Sequence, residues 1–220
     1  DLRAAFAAAG ASVRARGRAE VQAARMFLDY ARDISSGVLE PGRILPAVKR
    51  ELPRRDPVAL LDGFAGAGDP AAFLSALAPR SHEYNRLLAA RIELERVRAS
   101  GGWGPAVPAV KLEPGAEGDV VVALRNRLIA MGYLERTPAR RYDAAMTRAV
   151  QQFQIDHGLT ADGIAGATTI REVNVSARAR LKQVLVALER ERWLNLPEGK
   201  GERHVLVNLT DFSARIVDHG

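Results

Sequence analysis

The sequence contains no cysteine, and this absence removes several kinds of chemistry at once. Without thiols, the 220 residues form no disulfide, hold no thiolate metal site and carry no cysteine nucleophile. No run of about 18 apolar residues predicts a membrane span, and the first residues lack the basic and apolar regions of a signal peptide. Because the sequence starts at Asp1, we interpret it as a processed or trimmed chain, so the missing signal does not argue against secretion.

Lysine is scarce in a chain that is nonetheless basic, with 32 lysines and arginines against 26 acids. Only four of the basic residues are lysines, and the positive excess is spread thinly along the sequence. Many arginines stand at helical spacing from a glutamate, a pattern typical of solvated helix faces rather than of a phosphate-binding stripe. We therefore predict that nucleic acid is not a partner.

Motifs for nucleotide, zinc or serine chemistry are missing as well. Residues 66–71 look like a phosphate loop, but no predicted strand precedes them, and Asp69-Pro70 instead predicts the start of a helix. The four histidines lack metal-binding spacing, and no Gly-x-Ser-x-Gly elbow is present. We expect no metal site and no cofactor.

Besides the helix that starts at Asp69-Pro70, three helices are predicted before residue 100. They cover residues 12–36, residues 57–61 and a segment capped by Ser81. Apolar residues at helical spacing predict an inward side for the first and the third. These residues are Val21, Ala24, Leu28 and Ala31 in the first helix, and Tyr84, Leu87, Leu88 and Ile92 in the third.

A Pro- and Gly-rich stretch over residues 101–118 predicts a domain boundary, which we place near residue 113. Three closely spaced helices follow, over residues 119–131, 144–157 and 167–173, and together they predict a compact module. Gly132 and Gly158 fit the left-handed position after a helix end. The inward stripes of the first two helices are Val121, Leu124, Leu128 and Met131, and Met146, Ala149, Val150 and Phe153.

The pattern changes again after residue 174. A further amphipathic helix is predicted over residues 176–193, with its apolar side formed by Leu181, Val184, Leu185 and Leu188. Residues 204–210 and 214–218 are rich in β-branched side chains around Asp211-Phe-Ser213, which predicts a β-hairpin. Because an isolated hairpin is marginally stable in water, we expect these strands to belong to a larger sheet.

The motif within residues 118–174 resembles the bacterial peptidoglycan-binding domain, a three-helix module, over nearly its full length. The resemblance rests on Gly118, Val121, Leu124, Leu128, Gly132-Tyr133-Leu134, Tyr142-Asp143, Ala149-Val150, Phe153-Gln154, His157-Gly158-Leu159, Asp162-Gly163, Gly166 and Thr168. It implies that peptidoglycan, through its glycan strands and stem peptides, is the partner.

Six polar residues of this motif are candidate ligand contacts, since a sugar-peptide ligand needs exposed donors and acceptors. They are Tyr142, Asp143, Gln154, His157, Asp162 and Thr168. Each also has a structural interpretation, because a polar residue at a helix end is equally able to cap the helix. For His157 the alternative is an interaction with the negative helix C-terminus.

The flanking segments resemble the large L,D-transpeptidases with a YkuD-like catalytic domain. The upstream resemblance lies in residues 67–72, 77–79, Tyr84 and 101–103, and the downstream one in residues 188–194, 201–203 and 205–212. Two residues depart from the family pattern: Ala187 stands where Asn is common, and Thr210 where Pro is common. The resemblance implies acyl transfer through a cysteine thioester with a histidine base, giving 3-3 cross-links between stem peptides. The catalytic cysteine and histidine motif has no counterpart in these 220 residues.

We therefore predict a mainly α chain. A helical scaffold (1–112) carries an inserted three-helix peptidoglycan-binding module (113–175), followed by a connecting helix that packs on the scaffold (176–200). A short β-hairpin (201–220) begins a mostly missing β-rich catalytic domain. The chain itself is expected to be inert, as the binding and scaffold part of a periplasmic L,D-transpeptidase. The alternative is a stand-alone, non-catalytic peptidoglycan-binding protein of the envelope. The sequence leaves the oligomeric state open.

Overall fold

The computed structural model describes residues 1–44, 46–196, 201–208 and 212–218. The chain divides into two compact units. The first comprises the described residues of Asp1–Leu88, Leu185–Val207 and Ala214–Gly220, and the second comprises those of Ala89–Val184 and Asn208–Ser213. The described part is mainly helical and ends in an antiparallel two-stranded hairpin, so the predicted fold class is confirmed. The four predicted domain ranges stay a prediction.

The first unit is built from short helices around one long one. Its elements are α1 (Leu2–Ala8), α2 (Val13–Ser36), α3 (Pro41–Ile44), α4 (Pro57–Ala65), α5 (Pro70–Ser75), the first turns of α6 (His82–Ala99), the last turns of α10 (Ala177–Arg192), and most of β1 (Arg203–Asn208) and β2 (Ser213–Asp218). Helix α2 begins at the Ser12 cap, whose hydroxyl accepts from Ala15 N, and ends at Gly37. The expected cap at Asp69 is also confirmed, since its carboxylate accepts from Ala71 N and Ala72 N.

An aromatic cluster anchors the core of the first unit. The rings of Phe27 and Phe64 stack with centroids 4.6 Å apart, and Phe73 lies against Phe64 at 5.9 Å. Phe27 and Phe73 also pack against the buried residues Ala31, Leu60 and Leu77. Because each large ring removes a large apolar area from water, this small cluster holds α2, α4 and α5 together.

A buried carboxylate attaches the end of α10 to the same unit. Glu189 is only 7% exposed and accepts from Leu39 N at 2.8 Å and from Trp193 Nε1 at 3.2 Å. Arg192 Nη1 lies 3.3 Å from the second oxygen of Glu189. Asn195 extends the attachment by donating to Ser35 O at 2.9 Å and to Leu77 O. A buried charge with several partners resists displacement, so these residues fix the C-terminal turns of α10.

Three residues predicted to face inward are exposed instead. Val21, Ile92 and Leu185 are 53%, 66% and 46% exposed, respectively. Helical spacing identifies an apolar side, but burial also requires a partner surface, and α1, which packs against α2, itself has no buried residue. The sequence predicts neither α1 nor α3, and α4 continues to Ala65 rather than ending at Leu61.

The second unit contains the end of α6, then α7 (Asp119–Ala130), α8 (Ala144–Asp156), α9 (Ala167–Val173) and the start of α10. The three predicted module helices are confirmed to within a residue or two at their ends. Gly132 and Gly158 have φ angles of 82° and 66°, which confirms their left-handed positions after α7 and α8.

The strand predictions are confirmed in their described parts, β1 and β2. The predicted strand residues 209 and 210, and Asp211 of the turn, lie outside the described residues. Across the described residues, no helix is both long and apolar enough to pass through a membrane.

Candidate functional site

The module helices enclose a dense apolar core. Its buried members are Val107, Leu112, Val121, Leu124, Leu128, Tyr142, Met146, Ala149, Val150, Phe153, Ala165, Ile170 and Val173. Two antiparallel bridges, Leu112 to Ala165 and Glu117 to Arg141, tie the loops around this core. The inward stripes predicted for α7 and α8 are confirmed, with Met131 partly buried at the edge of the core. A rigid scaffold of this kind holds the polar loop residues in fixed positions.

Tyr142 lies inside this core rather than on the module surface. It is 1% exposed, and its hydroxyl donates to Gly163 O at 2.8 Å. Burial raises the pKa of Tyr142 well above its usual range. The hydroxyl is thus engaged within the module.

Gln154 links α8 to the loop before α9. It is 2% exposed, and its amide nitrogen donates to Asp162 Oδ1 at 2.9 Å, Ile164 O at 3.0 Å and Thr169 Oγ1 at 3.1 Å. Its oxygen accepts from Gly163 N at 2.9 Å. Because each amide hydrogen and the oxygen find partners inside the protein, Gln154 fixes the conformation of residues 162–169.

Asp143 and Asp162 each support local backbone, but they differ in exposure. Asp143 caps α8, with its Oδ1 accepting from Met146 N at 2.9 Å, and is partly buried. Asp162 is exposed, and Oδ1 accepts from Ile164 N at 2.9 Å as well as from Gln154. The Ile164 N–H and the Gln154 amide both stabilise the carboxylate, so the pKa of Asp162 lies below its usual range. Asp162 therefore presents a negative charge at neutral pH.

Thr168 is exposed in the first turn of α9, next to the buried Thr169. Within the described residues, its hydroxyl makes no hydrogen bond to the rest of the chain. Gln154 bonds to both Asp162 and Thr169. It therefore fixes the segment that carries two exposed groups, the carboxylate of Asp162 and the hydroxyl of Thr168.

A second polar surface lies at the C-terminal end of α8. The imidazole of His157 stacks on Phe153 with centroids 3.9 Å apart, and its Nδ1 lies 2.8 Å from Phe153 O. Tyr133 meets Phe153 edge-on at 5.3 Å. Burial and a hydrogen bond with Asp156 raise the pKa of Tyr133 to about 12. His157 is partly exposed in this position, and its two interpretations stay predictions.

Arg127 and Asn174 are structural residues that the sequence reasoning missed. Arg127 is 5% exposed and donates to Val173 O at 2.7 Å, Gly104 O at 2.9 Å and Pro105 O at 3.2 Å. Asn174 forms paired bonds with Val107, accepting from its N–H and donating to its C=O, both at 2.8 Å. Together they bind the segment that leads into the module to the segment that leaves it. The sequence signal that could have identified Arg127 is its charge, which lies next to Leu128 in the otherwise apolar stripe of α7.

Comparisons with known families agree with this geometry. Residues 1–90 match the family model described as a Scaffold domain, and residues 117–172 match the model of a peptidoglycan binding domain. The second match covers α7, α8 and all of α9 but its last residue, and the six predicted site residues lie within it. No curated protein matches the chain significantly. The two family matches confirm the resemblance to the front part of the L,D-transpeptidases that the sequence indicated.

Proposed function

We propose that the chain forms the non-catalytic front part of a periplasmic L,D-transpeptidase. The proposal is supported because the chain joins a scaffold domain to a peptidoglycan-binding domain, which implies association with the cell wall. The module holds peptidoglycan while a YkuD-like domain transfers an acyl group through a cysteine thioester, forming 3-3 cross-links. The observation that carries this proposal is the order of the parts: a scaffold match, a module match and then the strands β1 and β2. The chain itself has no cysteine and is inert in this scheme.

The coding sequence beyond residue 220 tests the enzymatic part of the proposal. We expect it to encode a histidine followed by a Ser-x-Gly-Cys motif, because the implied acyl transfer needs a thiolate and a base. A stop codon directly after Gly220 would instead establish the alternative, a stand-alone wall-binding scaffold protein. The absence of cysteine from these residues is what keeps that second candidate in consideration.

Peptidoglycan contact is proposed for the two exposed members of the predicted set and for the partly exposed His157. Asp162 supplies a carboxylate acceptor, Thr168 a hydroxyl, and His157 an imidazole that stacks on Phe153. Tyr142 and Gln154 support this surface from inside, because their polar atoms bond within the module. Asp143 contributes by capping α8.

Co-sedimentation with insoluble peptidoglycan sacculi tests this surface. We expect the 220-residue chain to pellet with sacculi, and Asp162→Asn combined with Thr168→Val to weaken binding about tenfold, since hydrogen bonds to a charged group contribute roughly 1.5–3 kcal/mol. Asparagine keeps an oxygen for Ile164 N and Gln154, so the loop should stay folded.

The matched control is Asp119→Asn, the same charge change on an exposed acid at the start of α7. It should bind sacculi like the unsubstituted chain. Equal binding by the double variant would place the ligand on another face of the module. Failure of the unsubstituted chain to pellet at low salt would show that the module acts only as a spacer.

A further inference from the structure

The N-terminal part of α2, through Arg25, carries three arginines on one face. Arg14, Arg18 and Arg25 line one open surface recess of about 640 Å³, together with Gly17, Val21 and Gln22. At 1.5 Å per residue, the three arginines extend over about 16 Å of the helix. At about 100° per residue, they lie within about 40° of one another around the axis. They therefore form a straight basic ridge on the first unit, far in sequence from the peptidoglycan-binding module.

These arginines lack the carboxylate partners that neutralise others in the chain. On α6, Arg91 pairs with Glu95 at 2.9 Å and Arg96 with Glu93 at 2.7 Å. In the part of the chain that the structure describes, by contrast, no carboxylate lies within ion-pair distance of the ridge arginines. The nearest acid along the same face, Asp29, lies one turn beyond Arg25 and pairs with Arg32 at 3.2 Å. The positive charge of the ridge is thus uncompensated.

Exposed apolar side chains accompany the ridge. Val21, which lines the recess beside the arginines, is 53% exposed. Phe6, on the α1 helix that packs against α2, is 55% exposed. A soluble polyanion would bind the arginines but would leave these apolar side chains in contact with water. An anionic lipid surface offers phosphates to the arginines and, just beneath the phosphates, an apolar layer to Val21 and Phe6.

We propose that the α1–α2 pair (residues 2–36) docks on the surface of an anionic phospholipid membrane. The guanidinium groups of Arg14, Arg18 and Arg25 bind headgroup phosphates, for which their planar fork of donors is suited. Phe6 and Val21 enter the boundary between headgroups and acyl chains. This is a peripheral contact, and it depends on neither the peptidoglycan-binding surface nor the proposed acyl transfer.

Vesicle co-sedimentation of the whole chain tests the proposal. We expect binding to phosphatidylcholine vesicles that contain phosphatidylglycerol, no binding to pure phosphatidylcholine vesicles, and loss of binding as salt rises. Replacing Arg14, Arg18 and Arg25 together by glutamine should weaken binding at least about tenfold, because each arginine near an anionic surface contributes to the attraction. Since all three side chains are exposed, the helix should remain folded.

A control with the same loss of charge is Arg136→Gln, Arg148→Gln and Arg171→Gln, three exposed arginines of the module. Vesicle binding should persist in this variant, and a loss equal to that of the ridge variant would overturn the proposal. Phe6→Ser combined with Val21→Ser should reduce vesicle binding yet leave binding to soluble inorganic polyphosphate unchanged. If this apolar variant binds vesicles as well as the unsubstituted chain, a soluble polyanion is the partner and the lipid proposal is wrong.

Discussion

Replacing Arg127 by methionine should destabilise the module by about 3 kcal/mol, because several buried carbonyl acceptors lose their donor and each unsatisfied buried group costs roughly 1–3 kcal/mol. Methionine fills much of the same space but donates no hydrogen bond. The carbonyl oxygens of Val173, Gly104 and Pro105 would lose their shared donor, and an unsatisfied buried acceptor costs free energy on its own. Asn174 and Val107 would then hold the two segments without support.

Hydrogen exchange of the amides in α7, α8 and α9 measures this effect, because it reports the opening of the module separately from the first unit. Arg148→Met on the exposed side of α8 is the matched control and should change the free energy of opening by less than about 0.5 kcal/mol. Arg127→Lys should fall between the two, since it keeps the charge but loses the planar fork of donors. If Arg127→Met behaves like the control, the three carbonyl contacts contribute little to the stability of the module.

The module was predictable because its local signals agree with its packing. Apolar spacing places Val121, Leu124 and Leu128 on one side of α7, and left-handed glycines end α7 and α8, so propensity, pattern and turn chemistry all indicate the same three helices. The exposure of Val21 and Ile92 was not predictable in this way. Helical periodicity says which residues share a face, whereas burial depends on which distant segment covers that face.

The candidate site was predictable in composition but not in arrangement. The sequence identifies polar residues at the ends of α8 and in the following loop, and it does not reveal that Tyr142 and Gln154 turn inward while Asp162 and Thr168 face solvent. Arg127 shows the same limit more strongly. A charged residue in an apolar stripe predicts a helix surface by default, and only the carbonyl groups brought from two other segments make its burial favourable.

Gln154→Leu should destabilise the module by about 3 kcal/mol, although leucine has nearly the same size and is apolar. The glutamine amide joins three acceptors and one donor of the loop, and its loss leaves Gly163 N, itself buried, without a partner. Desolvation penalties of roughly 1–3 kcal/mol for each unsatisfied group outweigh the apolar gain from leucine.

Gln152→Leu is the matched control for this substitution. Gln152 is exposed on the same helix and makes one hydrogen bond, to Asp156, so its replacement should change the free energy of opening by less than about 0.5 kcal/mol. Gln154→Leu should also release the loop that carries Asp162 and Thr168, so binding to sacculi should fall together with amide protection in residues 162–169. A ligand surface that Gln154 holds in place depends on the order of that loop. Loss of amide protection in residues 162–169 without loss of sacculus binding would therefore mean that peptidoglycan contacts the module elsewhere.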